Sequence, residues 1–188
     1  MATASLKHRF SSDQFLRMAE VGIFPPDARI ELLDGEIVPM SPIGPRHAYI
    51  LTLIHELLSQ CFLKDWQIRE QQPVALSQFG MPQPDICIIR RNRHQPYQHP
   101  IPSDIGLLIE VADSSLELDT GVKRALYAAS GIVEYWVVDL VHCIIEQSTL
   151  PGPNGYGSTE IHGMLDSVTA TVINGLSVQV SAIFPQER

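Results

Sequence analysis

The feature that most constrains this chain is a pair of apolar runs that each carry one carboxylate. Pro84-Asp85-Ile86-Cys87-Ile88-Ile89 is the first, and Leu107-Leu108-Ile109-Glu110-Val111-Ala112 is the second. In both, alternation of period two is nearly swamped by continuous apolar residues, the pattern of strands covered on both faces. An ionised carboxylate in such a run is costly unless it is paired or binds a cation. If the strands are neighbours, Asp85 and Glu110 converge at one spot, which raises a pKa or recruits a divalent metal. Strand alternation puts Glu110 and Ala112 on one face and Ile109 and Val111 on the other.

The chain has 188 residues, 45% of them hydrophobic, enough for one domain with a substantial core. No apolar run approaches the roughly 18 residues of a membrane span, and residues 1–10 lack the apolar stretch of a secretory signal. The expectation is a cytoplasmic protein with no membrane partner. Cys61, Cys87 and Cys143 are widely spaced in apolar surroundings, so they read as core thiols and not as a disulfide or zinc framework. Thirteen Lys+Arg against 21 Asp+Glu give a net charge of −8, which weighs against non-specific attraction to nucleic acid. A nucleic-acid function therefore requires a local basic patch, although acids that bind metal would contribute to the same negative count.

Along the chain, Ser11 with Gln14 three residues later has capping-box form, and a helix carrying Phe15, Met18 and Ala19 on one face follows to about Gly22. Residues 29–38 read as two short strands joined at Asp34-Gly35, with Glu31 and Glu36 flanking the turn. Apolar residues recur at helical spacing from Arg46 to about Phe62, with Pro45 suited to the first turn. Residues 66–76 supply one or two strands interrupted at Pro73, and 84–90 form the first acid-bearing strand. After the second, 119–130 reads as a helix with Val122, Ala125, Leu126 and Ala129 on its apolar side, stopped by Gly131. A strand over 133–140 completes a right-handed parallel crossover. Residues 142–147 add a strand, 151–155 a turn, and Asn174-Gly175 a hairpin before the apolar Ile183-Phe184. The fold class is α/β, a mixed central sheet flanked by helices with an N-terminal helix and hairpin.

Two carboxylates helped by the backbone carbonyl of Val111 can hold a hard cation such as Mg²⁺, which takes oxygen ligands and keeps several waters. Such an ion lowers the pKa of a bound water and stabilises charge on a phosphoryl oxygen. A nearby positive charge is still needed to position that water or neutralise developing charge. Lys123, on the helix expected to pack back over the sheet, is the candidate.

Pro84-Asp85, Glu110-Val111-Ala112, Asp119 with Lys123, Tyr127, Gly131 and Glu134-Tyr135-Trp136-Val137-Val138-Asp139 together resemble the PD-(D/E)XK nuclease superfamily. More narrowly they resemble the Uma-type family of small bacterial restriction-endonuclease-like proteins. The hairpin Glu31-Leu32-Leu33-Asp34-Gly35-Glu36 and His47 fit the same family, so the resemblance spans residues 15–139 and fades beyond. It implies a restriction-endonuclease-like fold and a metal-dependent phosphodiesterase acting on DNA, with Asp85 and Glu110 as ligands of Mg²⁺ or Mn²⁺. Glu36, or less readily Glu31, would be an auxiliary ligand. The superfamily lysine usually lies two residues after the second acid, where this chain has Ala112, so Lys123 would substitute for it. A homodimer suits an enzyme that cuts both strands of a duplex.

Simpler readings stand beside these. Asp85 can be a strand-start residue satisfied by backbone amides. Glu110 can form a structural ion pair with Lys123 or Arg124, and Asp119 with Lys123 an i,i+4 helix pair. Glu31 and Glu36 can be solvated hairpin residues, and His47 can cap its helix. The basic, ring-dotted loop from Arg90 to His99 is either a phosphate and base contact or a solvated loop, and Tyr135 and Trp136 are core or interface aromatics. Two other functions fit the same residues: an inactive binding module, favoured if the acids are consumed by Lys123 or Arg124, and a hydrolase of a small phosphoester, favoured by a small closed pocket. A strongly basic groove over the acids would count against the second.

Overall fold

The computed structural model describes residues 8–61 and 64–184. Phe62, the expected limit of the second helix, lies outside them.

Helix α1 (Ser12–Glu20) starts as its capping box requires. The Ser11 hydroxyl accepts from the Gln14 amide at 3.2 Å, and the Gln14 side chain accepts from the Ser11 amide at 2.9 Å. Its buried Phe15 packs with Leu32 and Met81, which seats the following hairpin. Strands β1 (Ile30–Leu33) and β2 (Glu36–Pro39) pair antiparallel across Asp34 and Gly35, whose φ angles of 48° and 82° are the left-handed pair a tight hairpin turn demands. Helix α2 (Pro45–Gln60) has proline in its first turn and buries Ile50, Ile54 and Leu58, one stripe at four-residue spacing.

The central sheet has six strands in the order β3 (Trp66–Glu70), β4 (Ile86–Arg90), β5 (Ile105–Ala112), β6 (Glu134–Asp139), β7 (Ile144–Gly152), β8 (Gly155–His162). Only β5 and β6 run parallel, so the sheet is mixed, as expected. Every residue of β5 and β6 is buried, which explains why their sequences lack a polar face. Alternate residues divide into two cores. Ile86, Ile88, Leu107, Ile109, Val111, Trp136 and Val138 pack under α2 and the C-terminal segment. Cys87, Ile89, Leu108, Ala112, Tyr135 and Val137 pack on the opposite face under Tyr127 and Ile132. Glu110 alternates with the second set and so faces the crossover helix. Tyr135 and Trp136 are core aromatics, as one of their two readings anticipated.

Four local expectations change. Of the one or two strands expected over 66–76 one forms, and it stops at Glu70, because Gln71 turns to φ 48° and the proline at position 73 cannot extend a ladder. The crossover helix starts early, as α3 (Leu116–Leu118), passes through a π turn (Asp119–Lys123), and continues as α4 (Arg124–Ala129). Its inner face carries Asp119, Lys123 and Tyr127; of the apolar row expected, Leu126 packs part-buried against the core while Ala125 and Ala129 are exposed and Val122 is left 51% exposed. The wide π turn keeps side chains four apart on one side, and the ionic groups beneath the helix reward that rotation. The strand expected at 142–147 begins at Ile144 and runs to Gly152, narrowing the 151–155 turn and adding β8 as its hairpin partner. The C-terminal hairpin is present as β9 (Ser167–Thr169) and β10 (Ser177–Gln179), with Gly175 at φ 83° between them, and α5 (Val180–Ile183) follows. Among the described residues no helix is long and apolar enough to cross a membrane.

Candidate functional site

The antiparallel β4–β5 ladder ends at the pair Ile86–Ile109, so one further step places Asp85 opposite Glu110. The backbone ladder stops there and side chains take over. The Val111 amide donates to Asp85 Oδ2 at 2.8 Å, and the Asp85 amide donates to Glu110 Oε2 at 3.3 Å. In a strand the N–H and C=O of one residue point to the same edge, so the Val111 carbonyl shares the open edge that Asp85 occupies. The expected convergence of Asp85, Glu110 and Val111 is therefore a consequence of register.

Lys123 enters from the π turn above. Its Nζ lies 3.2 Å from Glu110 Oε1, 3.3 Å from Glu31 Oε1 and 3.6 Å from Asp119 Oδ1. The Tyr127 hydroxyl donates to the same Glu110 Oε1 at 2.7 Å. Arg124 turns away and pairs with Glu146. Of the two hairpin acids it is Glu31 that reaches the cluster, while Glu36 is exposed on β2 and does not line the cavity described below. The two share a hairpin face, but Glu36 pairs with Leu33 at the turn end, two residues along the strand from Glu31. Spacing alone could not separate them.

One ammonium shared among three buried carboxylates cannot replace the water each has lost. Burial pushes the pKa of Glu110 well up, with Lys123 opposing and the neighbouring acids adding to the rise. Burial raises Asp119 in the same way, against Lys123 and the Ser115 hydroxyl. Burial alone would favour neutral Lys123, but Glu110, Glu31 and Asp119 outweigh it and hold its pKa above the ordinary lysine value. The carboxylates thus favour the ammonium form of Lys123, which donates hydrogen bonds.

His47, in the first turn of α2, places Nε2 3.1 Å from Asp85 Oδ1, and Gln71 donates to the same oxygen at 3.4 Å. Burial lowers the His47 pKa, but its hydrogen bond to Asp85 and that residue's charge more than offset this, and the net shift is upward. The family resemblance marks His47 without a role, and Tyr127 likewise. The available signal for Tyr127 was its place four residues beyond Lys123.

Glu31, His47, Asp85, Glu110, Asp119 and Lys123 line a cavity of about 270 Å³ bounded by β1, the segment before α2, the ends of β4 and β5, and the π turn. Among the described residues Arg29 and Lys123 are its only Lys or Arg, against the acids Glu31, Asp85, Glu110, Asp113 and Asp119. None of residues 90–99 lines it. In that loop His94 accepts from Arg69 at 3.0 Å, Arg90 stacks over Trp66 at 4.3 Å, and Tyr97 is fully exposed.

The donor set suits a hard divalent cation. All its charged ligand atoms are carboxylate oxygens, negative charge exceeds positive, and the buried Asp119 Oδ1 has no hydrogen-bond partner. Among the described residues no three or more His, Cys, Asp or Glu side chains form a cage that could hold an ion alone.

Residues 12–181 match the Uma2 family, described as "Putative restriction endonuclease". The fold is similar to the crystal structure of a protein from Anabaena variabilis titled a putative nuclease belonging to DUF820. The TM-score is 0.70 at 15% identity, over 93% of this chain and 97% of that one. No curated protein is significantly similar in sequence.

Proposed function

Because the chain belongs to the Uma2 family, we propose that it is a metal-dependent endonuclease that hydrolyses DNA phosphodiester bonds. The observation that carries this reading is the meeting of Asp85, Glu110 and the Val111 edge beneath the Lys123 ammonium. Asp85, Glu110 and the Val111 carbonyl would hold Mg²⁺ or Mn²⁺, with Glu31 in the auxiliary position first assigned to Glu36. Bound there, the ion would supply a water of lowered pKa and neutralise phosphoryl charge. Lys123 donates to the attacking water or the developing oxyanion and, being charged, leaves proton removal to another group. Tyr127 and His47 fix the orientations of Glu110 and Asp85, as outer partners of metal-binding carboxylates do. A homodimer, with two such sites against opposite strands, belongs to the same proposal.

The small, acid-lined cavity favours a second reading, hydrolysis of a small phosphoester with the same acids. Both readings require the metal. Mn²⁺ titration calorimetry is expected to give a saturable site in the wild type that is lost in Asp85→Ala with the melting temperature kept within a few degrees. Equal binding by both proteins would remove Asp85 from the site.

A further inference from the structure

A phosphodiester approaching this cavity meets a wall of carboxylates, and the Lys123 ammonium deep inside is already shared among three of them. Arg29 is the other arginine or lysine among the described lining residues, beside the imidazole of His47, and is exposed just before β1. Its Nη1 donates to the Ser41 carbonyl at 3.2 Å, and among the described residues it forms no salt bridge. That single bond ties the guanidinium to the segment 39–44, which lines the same cavity, and leaves Nε and Nη2 as donors. Its positive charge also reaches His47, whose protonation it opposes. A guanidinium fixed at one corner and open along its remaining edge matches the geometry of a phosphate oxygen pair.

We propose that Arg29 is a substrate-binding residue that clamps one backbone phosphate of the nucleic acid at the cavity mouth. The proposal rests on the phosphodiester reading. It assigns to one side chain a local positive charge at the edge of an acid-lined site. The clamp contacts a phosphate next to the one that reacts, so it acts on binding and not on the chemical step.

Two substitutions separate the clamp from a role in propping the 39–44 segment. Arg29→Gln retains an amide donor for the Ser41 carbonyl and removes the charge, whereas Arg29→Lys keeps the charge. Fluorescence anisotropy of labelled duplex and single-stranded oligonucleotides, with Ca²⁺ replacing Mg²⁺ to block turnover, is measured over a series of salt concentrations. Arg29→Gln is expected to weaken binding and to make the log–log salt slope shallower by about 0.9 for duplex or about 0.7 for single strands, the release due to one phosphate. Arg29→Lys is expected to recover most of the slope. An unchanged slope in Arg29→Gln, or equal losses in both variants, would overturn the clamp while leaving the nuclease reading in place. A wild type that binds neither oligonucleotide would overturn that reading, and the clamp with it.

Discussion

Glu110→Gln is expected to lower phosphodiester cleavage on the order of a thousandfold while leaving the melting temperature unchanged or raised. The amide oxygen still accepts from Lys123 and Tyr127, and the contact given up is the longer 3.3 Å bond from the Asp85 amide to Oε2. What disappears is a buried negative charge that the folded state holds at a cost, as the upward shift of Glu110 records. Loss of a metal-binding carboxylate removes several kcal/mol of transition-state stabilisation, and each 1.36 kcal/mol is about tenfold in rate. Stability and activity thus move in opposite directions, the usual sign of a functional charge. Thermal melting and a single-turnover cleavage assay on the same preparation check both halves. A variant that unfolds would instead mark Glu110 as half of a structural ion pair with Lys123.

Lys123→Met has the opposite character, because it should damage the fold as well as the chemistry. Methionine fills the volume but leaves Glu31, Glu110 and Asp119 buried without their shared counter-ion, a loss of about 3–5 kcal/mol when one partner of a buried ion pair is removed. The pH dependence follows from the carboxylates. Glu110 and Asp119 already sit above their ordinary values of 4.5 and 3.8, so the folded state binds their protons more tightly than the unfolded chain does. Their contribution to stability is complete below those ordinary values and is lost as pH rises through the folded ones. Removing the ammonium raises the folded values further and widens that window. The deficit relative to wild type should therefore be largest near about pH 8 and shrink toward about pH 5. Urea unfolding at both pH values measures it, and a deficit that grows on acidification would mean that Lys123 does not compensate these acids. Metal binding should survive while cleavage is lost.

The parts of this site legible in the sequence were those that violate an apolar pattern. Asp85 and Glu110 stand out because a carboxylate inside a fully buried strand needs a reason. Lys123 stands out because the crossover helix had to return over the strand carrying Glu110. What was not legible depends on rotation and depth. The helix pattern pointed to Val122, Ala125, Leu126 and Ala129 as the inner row, and a π turn with an ionic cluster beneath it turned Asp119, Lys123 and Tyr127 inward instead. Glu31 and Glu36 share a hairpin face, and it is Glu31 that meets Lys123 and the Gln83 amide in the interior. His47 lies on a helix assigned to the opposite face of the sheet, and its contact with Asp85 arises because that helix begins at the end of β4. The pairing of β7 with β8 was hidden for another reason: Pro151 lies in β7, and Gly155 and Gly157 lie in β8, residues that ordinarily weaken a strand pattern.

The most direct test of the nuclease assignment is the nicking of supercoiled plasmid by wild type and Asp85→Asn across a Mg²⁺ titration. Asparagine keeps a side-chain oxygen for the Val111 amide and removes the charge the metal requires. Saturable Mg²⁺-dependent nicking by the wild type, abolished by EDTA and absent in Asp85→Asn, is the result expected. Nicking that persists in Asp85→Asn, or a wild type that binds Mg²⁺ and leaves the plasmid intact, would contradict it.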